Sequence, residues 1–544
     1  MIARHYWLAD GSSAFQTAAI NIGRAGMRVT NAGALAFPHG EETSPSTTMD
    51  FSFVVPMTDV RRRLLVMPAI LPLVAAGTLG VVASVIPREW FMVLVAGALA
   101  LVPAVVALLN RRLDVFEPVH LFAGSYAVLF VGRPIYDLTS AGGIPIYVGL
   151  DASGSYFPAQ LVAALGMLAF YIGYYLSSGK RIANAVAIPR VELSKRTLAV
   201  LTTIGVVLAF SLFCIYAATS GGIESLGLLL TGRRIAPSPL WSSTGYLYAA
   251  PLWLSSFGIL LLAVSPRWVS PEGFAAFAIL FGSQVVAIGS GTRSWFLVAG
   301  GSVVILWYLR RNRRPGTAAI AIALPVIFAL GITLPVDYRV PTQSQQSIAE
   351  KVQYVLLNPQ RNVQVFFSSG DTAMLDDLAL EIQAVPDLVP YEFGLTFVQD
   401  LTRPIPRPLW PDKPHEEDVQ LTQAIWPTLA PYTTFTFSVF GEPYLNFSYF
   451  GALILALFGV ISKSLYVWFR EGADTPAVQA IFAVSLPFMV VYMRGGIGTD
   501  YHRHLIFLAP MLIAIIASRH ASSSTSPVVV PVQRLERQPI SFPR

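Results

Sequence analysis

The chain has 544 residues, 54% hydrophobic and only 12% charged, with a formal net charge of +6. Soluble chains carry roughly 25% charged residues, and the mean hydropathy here is +0.58 over the whole length. This excludes both a soluble protein and a soluble domain on a single anchor, and predicts an all-α polytopic integral membrane protein. The single cysteine, Cys214, excludes an internal disulfide and a cysteine-based metal site. It lies in an apolar run and reads as a small buried hydrophobe.

Residues 1–60 are mixed and polar, without the apolar run and small-residue cleavage site of a signal peptide. They read as a disordered cytoplasmic leader, with an over-extended start and Met49 or Met57 as initiator as the alternative. From Arg61-Arg62-Arg63 onward, twelve apolar segments are expected to span: 64–86, 91–110, 118–133, 157–177, 197–217, 245–264, 271–289, 294–309, 317–335, 444–468, 476–493 and 503–518. Lys and Arg in short loops favour the cytoplasm. Arg111-Arg112, the basic stretch 178–196, Arg267, Arg310-Arg311-Arg313-Arg314, Arg470 and Arg519 then all fall inside. Both termini, including the tail 519–544, are expected to be cytoplasmic.

This leaves one long outer loop at 336–443, between the nine spans of 61–335 and the last three of 444–518. It is too long for a mere connector and is expected to form a small helical cap. Ser347-Ile-Ala-Glu350 reads as a capping box opening a helix with Ile348, Val352, Val355 and Leu356 on one face and a stop at Pro359. A second helix is expected over 372–384, started by Asp371, with Leu375, Leu378 and Ile382 on one face and a stop at Pro386. Beyond it lies PIPRPLWPDKP, residues 404–414, whose five prolines exclude a helix interior or a central strand. Proline reduces the ordering entropy of such a ribbon and would hold Arg407 and Lys413 in place. The plainer reading is a rigid loop packed by Trp410 with solvated charges.

Basic residues on the outer side break the charge bias. Arg88 and Arg233-Arg234 are explained by snorkelling. Arg133 in FVGRPIYD, Arg293 in IGSGTRSWF, and Arg494 and Arg503 in RGGIGTDYHRH come instead to one outer edge of the bilayer together with His502. Guanidiniums grouped there suit a phosphate group held bidentately. The alternative is that they anchor to lipid head groups or pair with Asp137, Asp500 and Glu442. For acid/base work the candidates are Glu442, Asp500 and His502. Asp500, His502 and His504 resemble a metal site only superficially, since no second histidine cluster is near in sequence.

The order VGRPIYD, SGTRSWFL, IPRPLWPDKP, GEPYLNFSYFG and RGG resembles the bacterial oligosaccharide repeat unit polymerases, the O-antigen polymerase (Wzy-type) family, over residues 60–520. The resemblance implies transfer of a growing glycan from undecaprenyl pyrophosphate to a fresh lipid-linked repeat unit, at the outer face of the bacterial inner membrane. No nucleotide sugar, cofactor or obligatory metal is expected, because the leaving group is already activated. A flippase and a chain-length regulator are the implied partners, and no nucleic acid is. The reaction asks for cations at the departing pyrophosphate, from Arg293, Arg407, Lys413 and Arg494, and for a base at the acceptor hydroxyl, Glu442 or His502. It also asks for aromatic faces for sugars, from Trp410, Trp426, Tyr432 and Tyr444. Arg133, Asp500 and Arg503 complete the expected binding set. The sixty-residue polar leader departs from the family pattern.

Two rivals remain. An O-antigen ligase or another polyprenyl-linked glycosyltransferase shares the architecture, although the first outer loop, PREW at 87–90, has only Glu89 where an acidic pair would be expected. A transporter of lipid-linked oligosaccharides would place polar groups at mid-membrane. Here the centres of the spans are nearly free of them apart from Lys463.

Overall fold

The computed structural model describes residues 86–110, 113–139, 146–147, 150–177, 179–189, 193–219, 245–290, 294–316, 353, 357–402, 405, 409–410, 417–427, 436 and 438–524. All belong to one compact unit, Ala69–Arg544. The expected leader 1–60, the span 317–335, nearly all of 64–86, the helix opened at Ser347 and the tail beyond Ser524 lie outside the described residues.

The described fold is helical, with a single two-residue antiparallel pairing of Ile146–Tyr147 with Leu150–Asp151. Among the described residues, seven helices are long and apolar enough to cross a membrane: Arg88–Leu109, Ser153–Leu176, Lys195–Thr219, Leu247–Val264, Ser438–Glu471, Pro476–Gly495 and Asp500–Arg519. At 1.5 Å per residue, roughly 20 residues match the hydrocarbon thickness. Three further expected spans are helical as well: 118–139, Pro271–Ser290 and the shorter Ser294–Arg310. The first of these contains a π turn at Val128–Gly132.

The helices pack by backbone proximity rather than by hydrophobic burial alone, because lipid offers apolar side chains no less than a protein core does. Helix 153–176 lies against helix Ala452–Glu471. A Cβ on Gly173 would overlap the carbonyl of Ala456, and one on Gly459 would overlap the carbonyl of Phe170. These two hydrogen-sized side chains let the backbones touch. Phe122 stacks on Phe170 at 4.0 Å beside the crossing, and Phe458 adjoins both rings.

Helices 88–109 and 195–219 are apolar on most sides and expose Leu94, Leu101, Leu108, Val207 and Phe210, as lipid-facing helices do. Cys214 lies on the second of these and is exposed, which corrects its reading as a buried core residue. An apolar run looks the same whether its side chains meet protein or lipid.

The long segment before residue 438 holds four described helices: Pro359–Ser368, Met374–Ala384, Leu395–Thr402 and Glu417–Ile425. Pro359 starts the first of these. At the first helical position its missing N–H is no loss and its fixed φ is already helical. Helix 374–384 appears near its expected place, but its N-cap residue is Ala373, with no side-chain cap. Asp371 is drawn away to a guanidinium, described below.

Helix 438–471 begins six residues before the expected span, and a 3-10 turn at Ser448–Gly451 interrupts it. Pro443 removes one helical donor. A Cβ on Gly451 would collide with the Pro443 carbonyl, so the tight turn needs a glycine there. Glu442 therefore stands on its own short helix, Ser438–Phe447, and the 20 residues of Ala452–Glu471 can cross the membrane without it.

Candidate functional site

One end of the bundle gathers the C-terminal ends of helices 118–139 and 476–495 and the N-terminal ends of helices 153–176, 438–447 and Ile497–Ser524. Helix 374–384 packs on three of these ends, and helix 395–402 packs on two. Most of the buried charge among the described residues collects here.

Arg133, 3% exposed, donates through Nε to Asp137 Oδ2 at 2.9 Å and through Nη2 to Asp376 Oδ2 at 2.7 Å. Tyr156 donates its hydroxyl to Asp137 at 3.4 Å. Both carboxylates are buried. The guanidinium thus ties the loop helix 374–384 to the bundle and is occupied by internal ion pairs.

Asp377, the next residue, is also buried and accepts the backbone N–H of Thr436 at 3.1 Å. Arg494 donates Nη2 to Asp371 at 3.0 Å, and its side chain is 39% exposed. Arg503, 29% exposed, donates to Asp500 at 2.6 Å. Ion pairing with Asp137 and Asp500, one of the two readings of these arginines, describes Arg133 and Arg503. Arg494 and Arg503 keep part of their surface open.

Glu442 is 3% exposed and accepts the backbone N–H of Gly498 through Oε2 at 2.7 Å. That amide belongs to the first turn of helix 497–524, where N–H groups have no helical partner and the helix dipole favours an anion. Asp400, 2% exposed, comes from helix 395–402 to the same glycine. A Cβ on Gly498 would overlap Asp400 Oδ2 and Glu442 Oε1 together, and one on Gly495 would overlap Asp500 Oδ2. Gly495 and Gly498 of RGGIG are thus the places where carboxylates press against backbone.

Asn446 holds this arrangement. Its Oδ1 accepts from Gly394 N at 2.7 Å, and its Nδ2 donates to Thr396 Oγ1 at 2.6 Å and to the Glu442 carbonyl at 2.8 Å. Gly394 has φ +92°, a conformation that disfavours any side chain.

Among the expected site residues, Arg133, Glu442, Arg494, Asp500, His502 and Arg503 come to this end, with His502 half-buried on the first turns of helix 497–524. Trp410 is exposed. Arg293, Arg407, Lys413 and Tyr432 lie outside the described residues. Trp426 is partly buried against the core. Tyr444 is buried edge-on to Tyr391 and Tyr449, so its ring faces are not open to a sugar. His504 turns into the bundle. Ser485 Oγ donates to the Ile481 carbonyl, so it accepts from His504 Nε2, and His504 Nδ1 accepts from the Tyr492 hydroxyl. With both nitrogens used, His504 has none left for a metal. No group of three or more His, Cys, Asp or Glu side chains is arranged to hold a metal among the described residues.

Sequence reasoning passed over Asp376, Asp377, Glu381, Asp400 and Asn446, and gave Asp371 only a capping role. One signal was present for three of them. Helix 374–384 carries Leu375, Leu378, Ala379, Leu380 and Ala384, which leave no polar stripe wide enough for a surface helix. Its acids therefore had to be enclosed, and Asp376, Asp377 and Glu381 are buried.

Burial raises the Asp376 carboxyl above the ordinary aspartate value although Arg133 opposes it, and burial raises Asp377 well above that value. A raised folded-state value means that the folded protein holds protons the unfolded chain releases. The associated stability is complete below the unfolded value and is lost as pH rises through the folded one. The thermal midpoint in detergent is therefore expected to be lower at pH 8 than at pH 6. Asp377→Asn should raise the midpoint at pH 8 and shrink the difference. An equal midpoint at both pH values in the parent protein would refute this.

Comparison of the chain with family models, with curated proteins and with solved structures gives no match.

Proposed function

We propose that the chain polymerises lipid-linked oligosaccharide repeat units at the outer face of a bacterial inner membrane, as the resemblance of its motifs to Wzy-type polymerases implies. On this reading the long segment 336–443 is an outer cap over about twelve spans, and both termini are cytoplasmic. Carrying the reading is Glu442, a buried carboxylate aligned by the Gly498 amide at one end of the bundle, with the part-open guanidiniums of Arg494 and Arg503 on the neighbouring turns.

Each part has work to do in the transfer. The acceptor hydroxyl attacks the anomeric carbon of the donor sugar, its proton passes to Glu442, and the bond from that carbon to the pyrophosphate oxygen breaks. The leaving undecaprenyl pyrophosphate takes the electron pair. Arg494 and Arg503 stabilise the charge it gains, the kind of electrostatic term that is large in a site shielded from water. The long prenyl chain needs an apolar surface beside that chemistry. A shallow apolar recess between helix 153–176 and the segment 438–455, lined by Val162, Leu165, Phe440, Tyr449 and Leu455, adjoins exposed Phe450 and Leu453.

The test is the surface glycan of the strain that carries the gene. Deletion is expected to leave single repeat units in place of a ladder. Polymer retained on its lipid carrier would indicate a ligase instead, and absence of any surface repeat would indicate a transporter.

A further inference from the structure

We propose that Asp400 is the positioning partner of Glu442, so that the base of the transfer is assembled only when the loop helix 395–402 is docked on the bundle. This rests on the reading of Glu442 as the base. Asp400 belongs to a segment well separated in sequence from any apolar run, yet it is among the most buried charged residues of the chain. Its Oδ2 and the Oε1 of Glu442 crowd one face of Gly498, where not even a methyl group fits.

The loop helix is brought to this spot by dedicated contacts. Asn446, four residues after Glu442 on the same helix, binds Gly394 and Thr396 at the start of helix 395–402, and Glu392 N donates to the Leu445 carbonyl. Helix 395–402 then packs on both helix 438–447 and helix 497–524. The loop helix and the Glu442 helix are held as one piece, and the register of that union puts the two carboxylates side by side.

Two carboxylates so close in a buried site do not both ionise, because like charges repel strongly where water is excluded; one proton is held between them. The pair then has one negative charge and one proton. When the acceptor hydroxyl attacks, its proton goes to the ionised oxygen and the pair becomes neutral; when product leaves, one proton returns to water and the shared state is restored. The other charged groups on the elements packed against the helices of this pair are Asp376, Asp377 and Glu381 on helix 374–384, Arg494 on helix 476–495, and Asp500, His502 and Arg503 on helix 497–524.

The experiment uses the full-length protein in proteoliposomes, with native lipid-linked repeat units extracted from membranes of the deletion strain as probe. Rates of chain growth are recorded against pH for the parent, Asp400→Asn, Asp400→Glu and Glu442→Gln. Asp400→Asn is expected to lower the rate about tenfold near neutral pH, a part of the usual acid/base contribution. It should also move the acid limb of the profile up by about one unit, because the ionised carboxylate has lost the shared proton that stabilised its charge. Asp400→Glu restores most of the rate. A rate that falls only in step with thermal stability, with the limb unmoved, reduces Asp400 to a loop latch and overturns the proposal.

Infrared difference spectra separate the pair from the catalytic reading. A protonated carboxyl band lost in both Asp400→Asn and Glu442→Gln supports the pair, and a band lost in neither overturns it. If Glu442→Gln still extends chains, the base assignment falls while the infrared result judges the pair alone. An unmoved limb in Asp400→Asn beside an inactive Glu442→Gln leaves the base standing and removes the partner.

Discussion

Glu442→Gln is expected to reduce the surface glycan to single repeat units while the protein accumulates to normal levels. The two expectations separate because glutamine keeps the fold contact and loses the chemistry. Its amide oxygen can still accept the Gly498 N–H that Glu442 Oε2 accepts at 2.7 Å. It cannot take a proton from an acceptor hydroxyl. Removing a general base typically costs about 10²–10⁴ in rate, and at the lower figure chains already grow too slowly to form a ladder. Gel analysis of the glycan beside an immunoblot of the membrane fraction reads both. A full ladder in this variant would remove Glu442 from the reaction and with it the main support for the polymerase reading.

Arg133→Ala is expected to cause the largest loss of stability of any single change at this end of the molecule. Arg133 satisfies two buried carboxylates, Asp137 and Asp376, on different elements. Leaving buried charges without their partner typically costs about 3–5 kcal/mol. Because Asp376 belongs to the loop helix, the loop should loosen first. The thermal midpoint should fall, and proteases should cut within 374–384 before they reach the spans. Adding Asp376→Asn and Asp137→Asn should recover much of the loss, since the buried charges disappear with the guanidinium. Arg133→Lys should recover little, because an ammonium cannot reach both carboxylates with a fixed planar fork. If Arg133→Ala melts with the parent protein, the ion pairs do not hold the loop.

The helices were legible because their cause is local. A run such as Ser153–Leu176 must satisfy its own backbone in lipid, so its length and hydropathy suffice to predict a helix. The direction a side chain faces is not local, which is why Cys214 could be placed on a helix but not on its exposed side. Glu442 was legible as a lone carboxylate at the mouth of an apolar segment. Its partner was not, since Asp400 reaches it only through a glycine notch at Gly498 and an asparagine hub at Asn446. Pro359 was legible as a boundary, and the helix it starts, Pro359–Ser368, was not.

The crossing of helices 153–176 and 452–471 has a consequence for biosynthesis. At the end of the bundle away from Glu442, Lys463 binds Glu117 at 3.0 Å and Tyr466 binds Asp114 at 2.8 Å, across 346 and 352 residues of chain. A ribosome releases the N-terminal helices into the bilayer long before the helix that fits them exists. Until then the notch at Gly173 is open to lipid, and Asp114 and Glu117 have only their earlier partners, Arg314 and Tyr174. A chain that stops before residue 452 therefore lacks more than its last helices: the early half is delivered intact and never receives the piece that closes it.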